Sequence, residues 1–247
     1  MARAPVAAIL CDLDGTLLDT VPDIADAVNA VLHELGRAPI APSVVAGYVG
    51  QGVDILMHRV LSGDFDGRAD APLHLQARVL LDTAYAAVNG RNTRLYAGVV
   101  EGLDRFRALG VRLACVTNKL QQPSDSILAK FGLDRYFEFV LGGDALPQRK
   151  PRPEPLWHAA DRLGVPVEAC IMLGDSANDA NAARAAGMPA VLVDYGYTEG
   201  RPIGEIDCDA VISRFGELAA GIAQRSSPRF EFLWRHRDAP AAAGYEA

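Results

Sequence analysis

Two carboxylates, Asp12 and Asp14, stand directly behind the apolar run Val6-Ala7-Ala8-Ile9-Leu10-Cys11 and are followed by Gly15 and Thr16. Successive side chains of a strand point to opposite faces, so residues two apart lean the same way where the strand ends. Two carboxylates in one small volume repel unless a cation sits between them or one holds a proton, and both conditions serve phosphate chemistry. An Asp-x-Asp pair is also an ordinary turn and helix-capping pattern. Its weight therefore comes from the segments that accompany it.

Three further segments end or begin where chemistry can be done. Val111-Arg112-Leu113-Ala114-Cys115-Val116 reads as a buried strand running into Thr117 and Asn118, where a hydroxyl and a backbone N–H can donate to phosphate oxygens or simply cap a turn. Lys150-Pro151-Arg152-Pro153 holds a lysine just before a helix, with prolines that suit a first helical turn and not an interior. Ile171-Met172-Leu173-Gly174-Asp175 is another apolar run that reaches a glycine and an aspartate, and Asp179 follows as a candidate N-cap for an alanine-rich helix.

The elements that would position these groups alternate along the chain. Strand candidates, besides those named, are 137–141 and 189–193; helix candidates are 99–109, 124–131, 155–163 and 179–186. Each helix runs into a glycine, which accepts the left-handed turn that closes a helix. Alternation of this kind implies βαβ units and a doubly wound parallel α/β sheet. In such a sheet the C-terminal strand ends share one edge, and ligands collect there at the topological switch point. Asp12, Asp14, Thr117, Lys150 and Asp175 can thus converge despite their separation. One long segment breaks the alternation: it opens at Thr20 and carries Val21, Ile24, Val28, Val31, Leu32 and Leu35 on one helical face, with Thr20 and Asp23 spaced as a capping box.

The four motifs, in this order and spacing, resemble the haloacid dehalogenase superfamily of phosphohydrolases, over nearly the whole chain to about Leu218. The resemblance implies a Rossmann-like core at 1–20 and 94–224, a mobile helical cap at 21–93 that excludes water, and an extension at 225–247. It implies that Asp12 is the nucleophile and Asp14 the acid and base, with Thr117 and Lys150 stabilising the transferring phosphoryl group. Mg²⁺ would be held by the Asp12 carboxylate, the Asp14 backbone carbonyl and Asp175, with Asp179 orienting the ion or Lys150. Gly15, Thr16, Thr117, Asn118 and Lys150, together with Gly50, Gln51 and Gly52 of the cap, would bind phosphate or substrate. For Gly50, Gln51 and Gly52 a plain helix connection is the competing reading.

Several reactions run on this scaffold. A departing halide takes no proton and needs no metal, so Asp14 argues for phosphate. A phosphomutase keeps the same core and differs in how its cap guards the intermediate. The segments 49–54, 116–119, 141–144 and 195–197 are similar to those of phosphoglycolate phosphatases, which implies 2-phosphoglycolate as substrate; phosphatases of sugar phosphates and pyrophosphate share much of the pattern. Cys11 departs from it, standing where a phenylalanine is usual. A catalytically inert binding or regulatory protein would have no need of Asp12, Asp14 and Asp175 together. Lys119, His58 and Arg59 are candidates to meet a substrate carboxylate, each with an ordinary surface position as the alternative.

Composition agrees with an enzyme of this kind. The 247 residues are 50% hydrophobic, enough for one large domain and a smaller insertion. A net charge of −7 lacks the basic face of a nucleic-acid binder. Cys11, Cys115 and Cys170 lie in apolar runs, without metal-site spacing, and read as small buried hydrophobes of a reducing compartment. The apolar run at 6–11 is too short for a secretory signal, and no stretch is long enough to span a membrane. The expectations are a cytoplasmic monomer or homodimer acting on a small phosphorylated metabolite, with no nucleic-acid or membrane partner. Trp157 is expected to pack within its helix, and the arginine- and aromatic-containing tail beyond Arg225 to be flexible or surface-docked.

Overall fold

The apolar runs at 6–11, 111–116 and 170–174 become adjacent strands because they are almost continuously apolar, as burial on both faces of a parallel sheet requires, with Arg112 exposed at the start of the second. The structure, a computed structural model, describes residues 6–224 and Phe230. In chain order its strands are β1 (Ala8–Cys11), β2 (Leu18–Asp19), β3 (Arg94–Leu95), β4 (Arg112–Val116), β5 (Val140–Leu141), β6 (Cys170–Gly174), β7 (Ala190–Val193) and β8 (Ala210–Ile212). Its helices are α1 (Val21–Glu34), α2 (Pro42–Tyr48), α3 (Val53–Ser62), α4 (Ala71–Val88), α5 (Val99–Ala108), α6 (Gln121–Lys130), α7 (Glu154–Leu163), α8 (Ala177–Ala186) and α9 (Gly216–Gln224).

Six strands form one parallel sheet in the order β5-β4-β1-β6-β7-β8. Alternate residues serve its two faces. Ile9, Cys11, Leu113, Cys115, Ile171 and Leu173 join one core with Leu103, Phe106 and Phe215; Leu10, Ala114, Val116 and Met172 join the other with Leu156, Ala160 and Ala183. In register, Cys11 lies beside Cys115 on one side and Leu173 on the other. β1, β4 and β6 therefore run out at the same edge. The chain moves outward from β1 through β4 to β5, then crosses back to β6 on the far side of β1. That reversal makes the end of β1 the switch point and opens a crevice there.

Helices α1 to α4 have a hydrophobic cluster of their own, in which Val21, Ile24, Val28, Val31 and Leu32 meet Val45, Met57, Leu61 and Leu81. The face read from the 3.6-residue period is the one buried. The chain leaves and returns through the two-stranded antiparallel pair of β2 and β3. Asp23 ties that junction shut, accepting from the backbone N–H groups of Asn92 (2.6 Å) and Thr93 (3.0 Å) and from the Thr93 hydroxyl (2.6 Å).

The capping box expected at Thr20 and Asp23 does not form. Asp23 is taken by residues 92–93, and the Thr20 hydroxyl donates to Asp14 Oδ1 at 2.7 Å. The first N–H groups of α1 go instead to the Tyr197 hydroxyl, from Thr20 at 2.6 Å and Val21 at 3.0 Å. Asp179 is likewise not an N-cap: Ser176 holds that position, and Asp179 is the third helical residue of a true capping box. Helix α6 begins at Gln121, ahead of its expected start, and β8 and α9 extend the alternation further than expected. Trp157 is 37% exposed and donates its indole N–H to Ala186 O at 3.2 Å. The expected extension at 225–247 lies outside the described residues except for Phe230, which is buried in the core. Among the described residues no helix is long and apolar enough to cross a membrane.

Candidate active site

At the end of β1 the Asp12 backbone N–H donates to Leu173 O at 2.9 Å, which fixes the residue over the β1–β6 edge. Asp12 Oδ1 is 3.0 Å from Lys150 Nζ as an ion pair, yet among the described residues it is buried without a hydrogen bond. Lys150 spends its hydrogen bonds elsewhere, on Asp179 Oδ1 and Val116 O, both at 2.7 Å. The other oxygen of Asp179 accepts from the backbone of Asp175 (3.2 Å) and Ser176 (3.1 Å) and from the Ser176 hydroxyl (3.1 Å). Asp179 is thus committed on both oxygens and braces Lys150 against β6. Asp175 accepts from the Thr16 hydroxyl at 3.3 Å and the Tyr197 N–H at 2.7 Å.

These contacts show why Gly15 and Thr16 follow the two aspartates. Gly15 has φ +82°, and a Cβ there would fall 2.2 Å from Asp175 Oδ2, so the turn must pass the carboxylate as bare backbone. Neither residue lines the cavity; the structure places both against Asp175. Thr117 Oγ1 accepts from the Lys119 N–H at 3.2 Å, leaving its own O–H to give. The Asn118 side chain bridges Gly50 O and Lys150 O, each at 2.8 Å, which ties the α2–α3 loop to the lysine's backbone.

Charge in this volume does not balance. Four carboxylates (Asp12, Asp14, Asp175 and Asp179) face two ammonium groups, Lys119 and Lys150. Burial pushes the Asp12 carboxyl up to about 6, against the pull of Lys150 and with Asp179 and Asp14 adding to the rise. Burial, with Asp179 and Asp12 beside it, also drives Asp175 well above the ordinary carboxylate range. For Lys150 burial alone would lower the pKa, but the Asp12 and Asp179 carboxylates outweigh it and hold the ammonium charged. Asp12, Asp175 and Asp179 each bring one oxygen within 4.8 Å of the others. Since Asp179 is committed, the oxygen left without a hydrogen bond is on Asp12, beside Asp175. An all-oxygen set carrying two surplus negative charges fits a hard divalent cation.

Above this edge lies a cavity of about 330 Å³. Asp12, Asp14, Thr117, Asn118, Lys119 and Asp175 form its floor, while Gly50, Gly52, Leu56, Leu81 and Tyr85 enter from α1 to α4. The Lys119 ammonium reaches Asp14 at 3.1 and 3.3 Å and stands 4.6 Å from the centre of the Tyr85 ring. The glycines at 50 and 52 let backbone approach the floor: a Cβ on Gly50, where φ is +141°, would meet Glu199 at 2.9 Å. Gln51 does not line the cavity and donates to Glu199 Oε1 at 3.0 Å.

Of the three cations considered for a substrate carboxylate, only Lys119 lines the cavity, and it is buried rather than at the surface. Arg59 is buried too, paired with Glu199 Oε1 at 3.2 Å, donating to the carbonyls of Tyr48 and Phe65 at 2.9 Å, and stacked 3.6 Å from the Phe65 ring centre. His58 stacks on His74 with ring centres 3.8 Å apart and takes the Ala69 N–H on Nδ1. Glu199 and Tyr197 join the two layers, and their structural role was not read from the sequence. Glu199 accepts from Gln51, Arg59 and Asn178 (2.7 Å), and it and Thr198 both have φ +52°. Tyr197 ties Asp175 to the start of α1. Only the tyrosine pair at 195–197 stood out as a pattern. Nothing local marks Glu199, because its partners lie far away in sequence.

Comparison with known proteins adds an independent line. Residues 6–187 match the family model of haloacid dehalogenase-like hydrolases. A phosphoglycolate phosphatase of Nitrosospira multiformis is 45% identical over 223 residues, 90% of this chain and 98% of its own length. One from Thiobacillus denitrificans is 45% identical over 215 residues, 87% of this chain and 95% of its own. Among solved structures, a predicted phosphoglycolate phosphatase from Haemophilus somnus 129pt superposes with a TM-score of 0.81 at 30% identity, covering 86% of this chain and 96% of that one.

Proposed function

The chain belongs to the haloacid dehalogenase-like hydrolases and is a phosphatase, and from that premise we propose that it converts 2-phosphoglycolate to glycolate and phosphate, with Mg²⁺, by way of a phosphoryl group carried on Asp12. The observation that carries this reading is the buried Asp12 oxygen that makes no hydrogen bond, set between Lys150 and Asp175 on the cavity floor. A carboxylate oxygen left so can be given to a metal or to an incoming phosphorus, with the carboxylate's second oxygen left for the other partner.

Asp12 attacks phosphorus as the bond to the substrate's alkoxide breaks, and the alkoxide takes a proton from Asp14. Water then attacks the phosphorus held on Asp12, yields a proton to Asp14, and phosphate departs with Asp12 restored. Lys150, neutralised on one side by Asp179, presents its charge to the phosphoryl oxygens, and the Thr117 hydroxyl and Asn118 backbone N–H donate to them. Mg²⁺ bound by Asp12, Asp175 and the Asp14 carbonyl would offset the charge of the ester and of the cluster. Residues 21–93 act as a cap that dries the site and limits it to small substrates. Lys119, the buried cation on the floor that is not beside Asp12, is placed to meet the substrate's carboxylate.

The test is kcat/KM for 2-phosphoglycolate against ethyl phosphate, at the same Mg²⁺ and salt. Leaving charged-group donors unpaired costs on the order of 2 kcal/mol, so a preference of at least about tenfold is expected. Equal values would remove phosphoglycolate and leave a broad small-molecule phosphatase.

A further inference from the structure

Helix α4 brings into the cavity one polar group whose proton no described residue accepts. The Tyr85 hydroxyl is buried and donates to no group among the described residues, and the residue lines the same cavity as Asp12, Asp14 and Asp175. Buried polar groups are nearly always paired, so an unpaired one on a cavity wall marks where a ligand completes it. Beside it stands the Lys119 ammonium, 4.6 Å from the centre of the Tyr85 ring and paired with both oxygens of Asp14, so a cationic donor and a hydroxyl donor share one corner of the cavity.

We propose that the Tyr85 hydroxyl and the Lys119 ammonium together bind the carboxylate end of the substrate, so that the cap contributes a specificity contact while the core performs the chemistry. This rests on the reading of the substrate as a carboxylate-bearing phosphate monoester. A carboxylate has only acceptors, and two donors of this kind match its two oxygens. The surrounding wall of Ile24, Val49, Val53, Leu56 and Leu81 lowers the local dielectric and strengthens both bonds. The acids near the mouth are occupied: Asp82 pairs with Arg78 at 3.2 Å and Asp144 accepts the Gln121 N–H at 2.7 Å. Asn89 also lines the cavity with an unpaired atom, but that atom is its carbonyl oxygen, an acceptor that a carboxylate cannot satisfy. Because Tyr85 arrives on α4 and Lys119 follows β4, the pair assembles only when the helical layer sits on the core.

The experiment measures kcat/KM for 2-phosphoglycolate and for ethyl phosphate in the wild type and in Tyr85→Phe, with the melting temperature of each. The variant is expected to lose about tenfold on 2-phosphoglycolate, as for a lost charge-assisted hydrogen bond, and to keep its rate on ethyl phosphate. Its melting temperature should be unchanged or higher, since an unpaired buried hydroxyl has been removed. A variant that keeps the wild-type preference, or that loses equally on both substrates with a lower melting temperature, overturns the assignment while the substrate reading stands. A wild type with no preference overturns both, and that failure is seen before any variant is made.

Discussion

Removing the Glu199 carboxylate should destabilise the protein by about 3 kcal/mol, because it strands a buried guanidinium. The side chains of Arg59 and Glu199 are 2% and 4% exposed and meet at 3.2 Å. Breaking such a pair from one side costs roughly 3–5 kcal/mol. The lower end applies here, since Arg59 keeps the carbonyls of Tyr48 and Phe65 and the Phe65 ring. At 2–4 °C per kcal/mol for a chain of this size, Glu199→Ala should lower Tm by about 6–12 °C. The assay is urea unfolding of Glu199→Ala, Arg59→Met and the double variant. The double variant should be less destabilised than the sum of the singles by about 1–3 kcal/mol, the coupling of groups in direct contact. A single-variant loss below about 1 kcal/mol, or strict additivity, would refute the claim that this pair fastens α3 to the loop at 198–200.

Two further outcomes follow from the site and the helical layer. Asp12→Asn should abolish turnover yet raise the metal-free Tm, because it removes one of the excess carboxylates; it should also shrink the rise in Tm that Mg²⁺ produces in the wild type, and turnover by the variant near the wild-type rate, or full wild-type activity in excess chelator, would sink the mechanism. Burial, with His74 and Arg68 adding to it, holds His58 below its usual 6.5, so the unfolded chain binds the proton first and stability should fall as pH drops below 6.5; in His58→Gln that part of the pH dependence, followed by urea midpoints, should flatten.

Asp12, Lys150 and Asp175 were legible because each borders an apolar run or a proline pair, and strands buried on both faces announce themselves as unbroken hydrophobic stretches. The helical layer was legible for the same reason: Val21, Ile24, Val28, Val31 and Leu32 keep a 3.6-residue period. What failed was local pairing that a distant partner outbid. Thr20 and Asp23 have the spacing of a capping box, but Asp14 and the backbone at 92–93 claim them. Arg59 and Lys119 look like solvated cations until Glu199 and Asp14 bury them. No pattern within a helix turn reports a partner 140 residues away. Gly15 and Thr16 stand next to the carboxylates in sequence, yet their contacts run to Asp175, which only the β1–β6 pairing brings near.

The central claim is that Asp12 carries the phosphoryl group, and trapping it there is the most direct test. In Asp14→Asn an aryl phosphate, whose leaving group needs no proton, should still phosphorylate Asp12, while the second step lacks its base and stalls. Acid quenching followed by peptide mass spectrometry should then find one phosphoryl group on Asp12. Continued turnover of the aryl phosphate by this variant with Asp12 unmodified, or a phosphoryl group on another residue, would contradict the account.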